Sequence, residues 1–161
     1  MTGVQTCALP ISTAFADWRT HLIDDDAGIA SLLARTHRVA VLGIKTAQHA
    51  MQPAYYVPAY AQKAGLEIVP VPVYYPDVTE ILGQRVYRLV ADISPPVDMV
   101  NVFRRPPDID AHIDDVLAAK PASVWFQLGI RNDAAAERLA RAGIDVVQNH
   151  CLLVELQNVG R

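Results

Sequence analysis

Apolar positions along the chain follow two alternating rhythms. Residues 38–44 (RVAVLGI) are a continuous, largely β-branched apolar run ended by glycine, the pattern of a strand covered on both faces. Residues 67–73 (EIVPVPV), 97–103 (VDMVNVF), 123–128 (SVWFQL) and 145–147 predict four further strands of the same kind. Pro70 and Pro72 cannot donate ladder bonds and limit regular pairing in the first of these. Residues 85–87 predict a short edge strand, and residues 89–93 a helical turn before the break at Pro95-Pro96.

Between these runs the spacing is helical. Asp24, Asp25 and Asp26 can cap and charge a helix that carries Ile29, Leu32, Leu33 and Thr36. Pro53 suits a first helical turn, and Tyr56, Val57, Tyr60, Ala61 and Ala64 then recur at helical period up to Gly65. Pro58 is tolerable so early in that helix, at the cost of some distortion. Residues 107–120 place Ile109, Ile113, Val116 and Leu117 on one side and acids mainly on the other. Asn132 is placed to cap a helix over 133–142 that Gly143 ends.

Strands alternating with helices at this spacing predict an α/β fold: a Rossmann-like doubly wound parallel sheet in three layers, with right-handed crossovers. With 161 residues, 52% of them hydrophobic, the chain can bury one substantial core but not two. Residues 1–11 (MTGVQTCALPI) match, codon for codon, the translation of a common sequencing-library adapter and are read as foreign and disordered. Residues 12–37 are then a helical lead-in, and residues 38–161 the domain. On that reading Cys151 is the one natural thiol, and no disulfide framework is possible.

The formal net charge of −3 supplies no field for a nucleic-acid backbone or an anionic membrane. No apolar run reaches the length of a bilayer span, and no secretory signal is visible, so a cytoplasmic protein is expected. Any anionic ligand must be held locally.

In a doubly wound sheet the first strand and the strand over 97–103 lie side by side, and a crevice opens at their carboxyl ends. Gly43, Ile44, Lys45 and Thr46 follow one, and Phe103 and Arg104 end the other. Backbone amides after Gly43, the Thr46 hydroxyl and the charges of Lys45 or Arg104 could hold a phosphate. The competing reading is a tight strand exit with solvated cations. The loop lacks the glycines of a G-x-G-x-x-G fingerprint. The acid that would hold a ribose 2′-hydroxyl is replaced by Val71, Pro72, Val73 and Tyr74, which disfavours NAD. Val71, Pro72 and Val73 form either an apolar wall for an adenine face or ordinary packing; Tyr74 and Tyr75 could stack on a base.

The five histidines show no metal-ligand spacing, and no Ser, His and acid combination stands at strand ends. The histidines are expected on the surface, and Asp108, Asp110, Asp114 and Asp115 on a solvated helix face. At least one of Trp125 and Phe126 is expected in the core.

The segments VAVLG (39–43), EILGQRVY (80–87), VDMVNVFRRP (97–106), VWFQLGIRN (124–132) and AGIDVVQNHC (142–151) resemble, in this order and spacing, the stand-alone CoA-binding domain proteins. These are related to the nucleotide-binding domain of the succinyl-CoA synthetase α subunit. The resemblance implies a small-molecule nucleotide ligand, coenzyme A or acyl-CoA, across the strand ends. Its pyrophosphate would lie near Gly43, Ile44, Lys45 and Thr46, and its adenine near Val71, Pro72 and Val73. Phe103 and Arg104 would line the centre, and Gln127, Leu128 and Gly129 the far side. Cys151, just past the last strand, could face the CoA thiol and form a mixed disulfide, or serve as an inert small hydrophobe. The chain departs from the family at Asp77, where a lysine is common, and at His150, where an arginine is.

The leading expectation is a binding module without catalysis of its own. The alternatives are an NAD(P)- or acyl-CoA-dependent enzyme component, and a regulatory interaction protein with a vestigial pocket. Assembly into a homo-oligomer is left open.

Overall fold

The computed structural model describes residues 16–161, so the adapter-like segment 1–11 and the start of the lead-in lie outside the described residues. The lead-in forms a 3-10 turn, Trp18–His21, and helix α1, Asp26–Ala34. Asp25 starts α1 by accepting a hydrogen bond from the Gly28 N–H. There follow β1 (Arg38–Leu42), α2 (Pro53–Lys63) and β2 (Glu67–Val71). Next come a small hairpin of β3 (Glu80–Ile81) and β4 (Gln84–Arg85), then β5 (Met99–Val102) and α3 (Asp110–Ala119). The chain ends with β6 (Ser123–Phe126), α4 (Asp133–Arg141), β7 (Asp145–Val147) and α5 (Leu152–Asn158).

Five strands build one parallel sheet in the order β2-β1-β5-β6-β7. Side chains alternate across it. Val39, Val41, Ile68, Met99, Trp125 and Val147 face α1, α2 and α5, while Ala40, Val69, Val100, Phe126 and Val146 face α3 and α4. The result is the three-layer Rossmann-like arrangement. Trp125 and Phe126 are both fully buried, one on each face, and the Trp125 indole N–H donates to the His150 carbonyl at 2.8 Å.

The strands are shorter than the apolar runs that signal them. The last two or three residues of several runs, 43–44, 72–73 and 127–128, leave the ladder and become the loops above the sheet. Pro70 is tolerated because β2 is an edge strand. The Val71 carbonyl faces β1 and accepts from Gly43, and the Pro70 carbonyl points outward to accept from the Tyr87 N–H at 2.9 Å. The missing N–H of Pro70 therefore falls on the unpaired side.

Three expectations need correction. Residues 84–85 pair with 80–81 as a hairpin around Leu82 and Gly83, both at positive φ, rather than standing as an edge strand over 85–87. Asp115 is not merely solvated, since its carboxylate accepts from the Val90 and Ala91 N–H groups at 2.8 and 2.9 Å and caps the turn Val90–Asp92. His21, His49, His112 and His150 reach the surface only in part and are half-buried, while His37 is exposed.

Candidate functional site

The exits of β1 and β5 define the centre of the carboxyl edge. Gly43 has φ +86°, and a Cβ built there would stand 2.4 Å from the Phe103 carbonyl oxygen. Only glycine lets the two loops come together this closely. The chain then turns away through Ile44, which is buried in the core, to Lys45 and Thr46. The N–H groups of Gly43 and Lys45 are committed to the carbonyls of Val71 and Ala54. Anion contacts there fall to the other amides from Ile44 through the turn Ala47–His49, to the Thr46 hydroxyl and to side-chain charge.

Lys45 and Arg104 converge on one exposed ring. The Lys45 ammonium is 5.9 Å and the Arg104 guanidinium 5.7 Å from the centroid of Tyr74. Arg104 also lies 3.8 Å from Asp108. Its guanidinium beside Tyr74 holds that phenol below its ordinary range. Half-buried His112 is held below the ordinary histidine value, first by burial and then by the charge of Arg104.

Three buried polar atoms at this edge have no hydrogen-bond partner among the described residues: Thr46 Oγ1, Arg104 Nε and Asn101 Oδ1. Native proteins seldom leave such atoms unpaired. Thr46 as a residue is half-buried. A hydroxyl, a guanidinium N–H and an adjacent ammonium form a donor set suited to phosphate oxygens.

The remaining candidates are distributed more widely. Val71 is 1% exposed and Pro72 is buried, both against the sheet, so only Val73 of that trio reaches solvent. Phe103 is half-buried on the α2 side. Gln127 is buried, and its Oε1 accepts from Asn101 Nδ2 and from the Leu152 N–H. Leu128 is exposed, and the Gly129 N–H donates to Asn149 Oδ1 at 2.7 Å. Cys151 is a free, half-buried thiol immediately before α5, on the same side of the sheet as Phe103. His150, at the position of a common family arginine, bonds Glu155 at 3.0 Å.

Arg88 had no local signal in the sequence. Its guanidinium donates to the carbonyls of Tyr74, Tyr75, Pro76 and Val78 at 2.8 to 3.2 Å, so it shapes the loop that carries both tyrosines. Among the described residues no three His, Cys, Asp or Glu side chains are grouped to hold a metal ion. No described helix is long and apolar enough to cross a membrane.

A Rossmann-like sheet with a polar crevice at the switch between β1 and β5 defines the class. Residues 37–157 match the CoA binding domain family, and the chain belongs to it. The uncharacterized protein YneT of Bacillus subtilis (strain 168) is 31% identical over 128 residues, which cover 80% of this chain and 91% of YneT. Among solved structures, cell-free ID.343 from Thermus thermophilus is 34% identical with a TM-score of 0.77, over 84% of this chain and 99% of that one. A hypothetical protein from Pyrococcus horikoshii OT3 is 25% identical with a TM-score of 0.75, over 84% and 92% respectively.

Proposed function

We propose that this protein binds coenzyme A or an acyl-CoA at the carboxyl edge of its sheet, as a binding module without turnover of its own. The observation that carries the reading is the donor set beside the Gly43–Phe103 contact: Thr46 and Arg104 each keep a buried polar atom unpaired, and Lys45 stands with them around Tyr74. Pyrophosphate oxygens would satisfy those donors. Family membership supports the choice of CoA over other nucleotides. In this reading Phe103 packs against the ligand at the centre of the edge, and Leu128 and Gly129 border its far side.

Native mass spectrometry of freshly purified protein is expected to show a co-purifying mass of CoA or an acyl-CoA. Arg104→Ala is expected to weaken CoA about tenfold or more, as loss of a charge-assisted hydrogen bond would. A protein that NAD(P) stabilises and CoA does not would instead be an enzyme component. A protein that neither stabilises would be an interaction protein.

A further inference from the structure

Tyr74 is 60% exposed, yet two cations carried by different strands lie over its ring. Lys45 comes from the β1 exit and Arg104 from the β5 exit, with their charges 5.9 and 5.7 Å from the one centroid. Like charges drawn together repel, and a long side chain loses rotamer freedom when it is held. Asp108 offsets little of this at Arg104, which it approaches to 3.8 Å, because Arg105 engages it at 2.8 Å. The negative face of an aromatic ring offsets both costs without a counter-ion that would compete with a bound anion. The backbone that presents the ring is fixed from several sides. Tyr75 has φ +64°, uncommon for a bulky side chain, and such strain persists where surrounding contacts over-determine it. Arg88 donates to the carbonyls of Tyr74, Tyr75, Pro76 and Val78, and the Tyr75 hydroxyl is 3.3 Å from His49 Nδ1. The Tyr75 ring meets Tyr74 edge-on, with centroids 6.5 Å apart.

We propose that Tyr74 is a positioning residue of the anion site, gathering Lys45 and Arg104 into one preassembled pair of cations, an inference that rests on the CoA reading above. The ring acts through the two cations and not through a contact of its own with the ligand. Charges already held together do not have to be ordered when the pyrophosphate arrives, so affinity is gained by preorganisation. The ring face does this, and the hydroxyl is not required.

The test is a calorimetric double-mutant cycle on the full chain with CoA, and with inorganic pyrophosphate, which carries no base, measured by its displacement of CoA. Tyr74→Leu is expected to weaken CoA about fivefold, the scale of two exposed cation–π contacts, and to weaken pyrophosphate by the same factor. Tyr74→Phe keeps the ring face and is expected to bind both like the original protein. In a chain already carrying Arg104→Ala, only one cation is left to place, and the effect of Tyr74→Leu is expected to fall below about twofold. The inference is overturned if Tyr74→Leu binds CoA as tightly as before or more tightly, or if its full effect persists beside Arg104→Ala. It is equally overturned if Tyr74→Leu weakens CoA but not pyrophosphate, which would make the ring a ligand contact, or if pyrophosphate at millimolar concentration displaces no CoA. Absence of CoA binding by the unaltered protein would overturn the CoA reading itself, and with it this one.

Discussion

Gly43 is the residue on which the site's shape turns. Its positive φ and the 2.4 Å approach of the Phe103 carbonyl to a built Cβ are backbone constraints that no side-chain rotation relieves. Gly43→Ala is therefore expected to destabilise the fold by about 1–3 kcal/mol in urea denaturation, and to weaken CoA by parting the β1 and β5 loops. His112 reports on the same edge. Its folded-state pKa lies below the ordinary histidine value, chiefly through burial and then through Arg104. The unfolded chain thus binds the proton more readily, so the contribution of His112 to stability is present above the unfolded value and lost as pH falls below it. His112→Gln should flatten that acid-side loss. A phosphate bound at Arg104 would offset its charge, so NMR titration of His112 is expected to show its pKa rising when CoA is added. An unmoved titration would place the anion elsewhere.

At the scale of elements, capping ties neighbouring helices together. Asn132 Oδ1 accepts from the Ala135 N–H at 3.0 Å, and its Nδ2 donates to the Pro106 carbonyl and to Asp110. One side chain starts α4 and fastens it to α3. Asn132→Ala is expected to cost about 1–2 kcal/mol by thermal or urea melting, toward the upper part of the range for a helix cap. Helix α5 shows the limit of capping signals. Cys151 precedes it without a side-chain bond, and the seven residues of α5 are too few for a clear period. That helix exists because Leu152 and Leu156 bury themselves beside Trp125 and α2.

For the molecule as a whole, ligand binding and folding are linked. If CoA binds only the folded state, a concentration a hundredfold above Kd stabilises by about 2.7 kcal/mol, which raises Tm by roughly 5–10 °C for a domain of this size. A dose-independent Tm would count against the site. The lead-in is part of the same cooperative unit. Leu22 bridges to Val146 in parallel, the Ile23 N–H donates to the Val146 carbonyl at 2.9 Å, and Asp145 pairs with His21 at 2.7 Å and Arg35 at 2.8 Å. Asp145→Ala should speed hydrogen exchange of residues 22–23 without altering exchange in β1, and uniform acceleration would mean that the whole sheet had loosened.

The order of strands and helices, the buried faces and the glycine at the β1 exit were legible in the sequence, because each rests on local spacing or on the conformation of one residue. Val39 and Val41 on one face and Ala40 and Leu42 on the other had to be covered whatever lay beyond them. Which residues meet above that sheet was not local. Val71 and Pro72 read in sequence as either a ligand wall or ordinary packing and are buried in the fold, while Tyr55 and Tyr75, twenty positions apart, come to line one cleft only through the tertiary fold. Arg88 reaches four carbonyls only because the loop curls around it. The sequence by itself determined the layers and the edge where a ligand could lie. The tertiary structure decided which side chains line that edge, because loops above a parallel sheet are placed by contacts between segments distant in the chain.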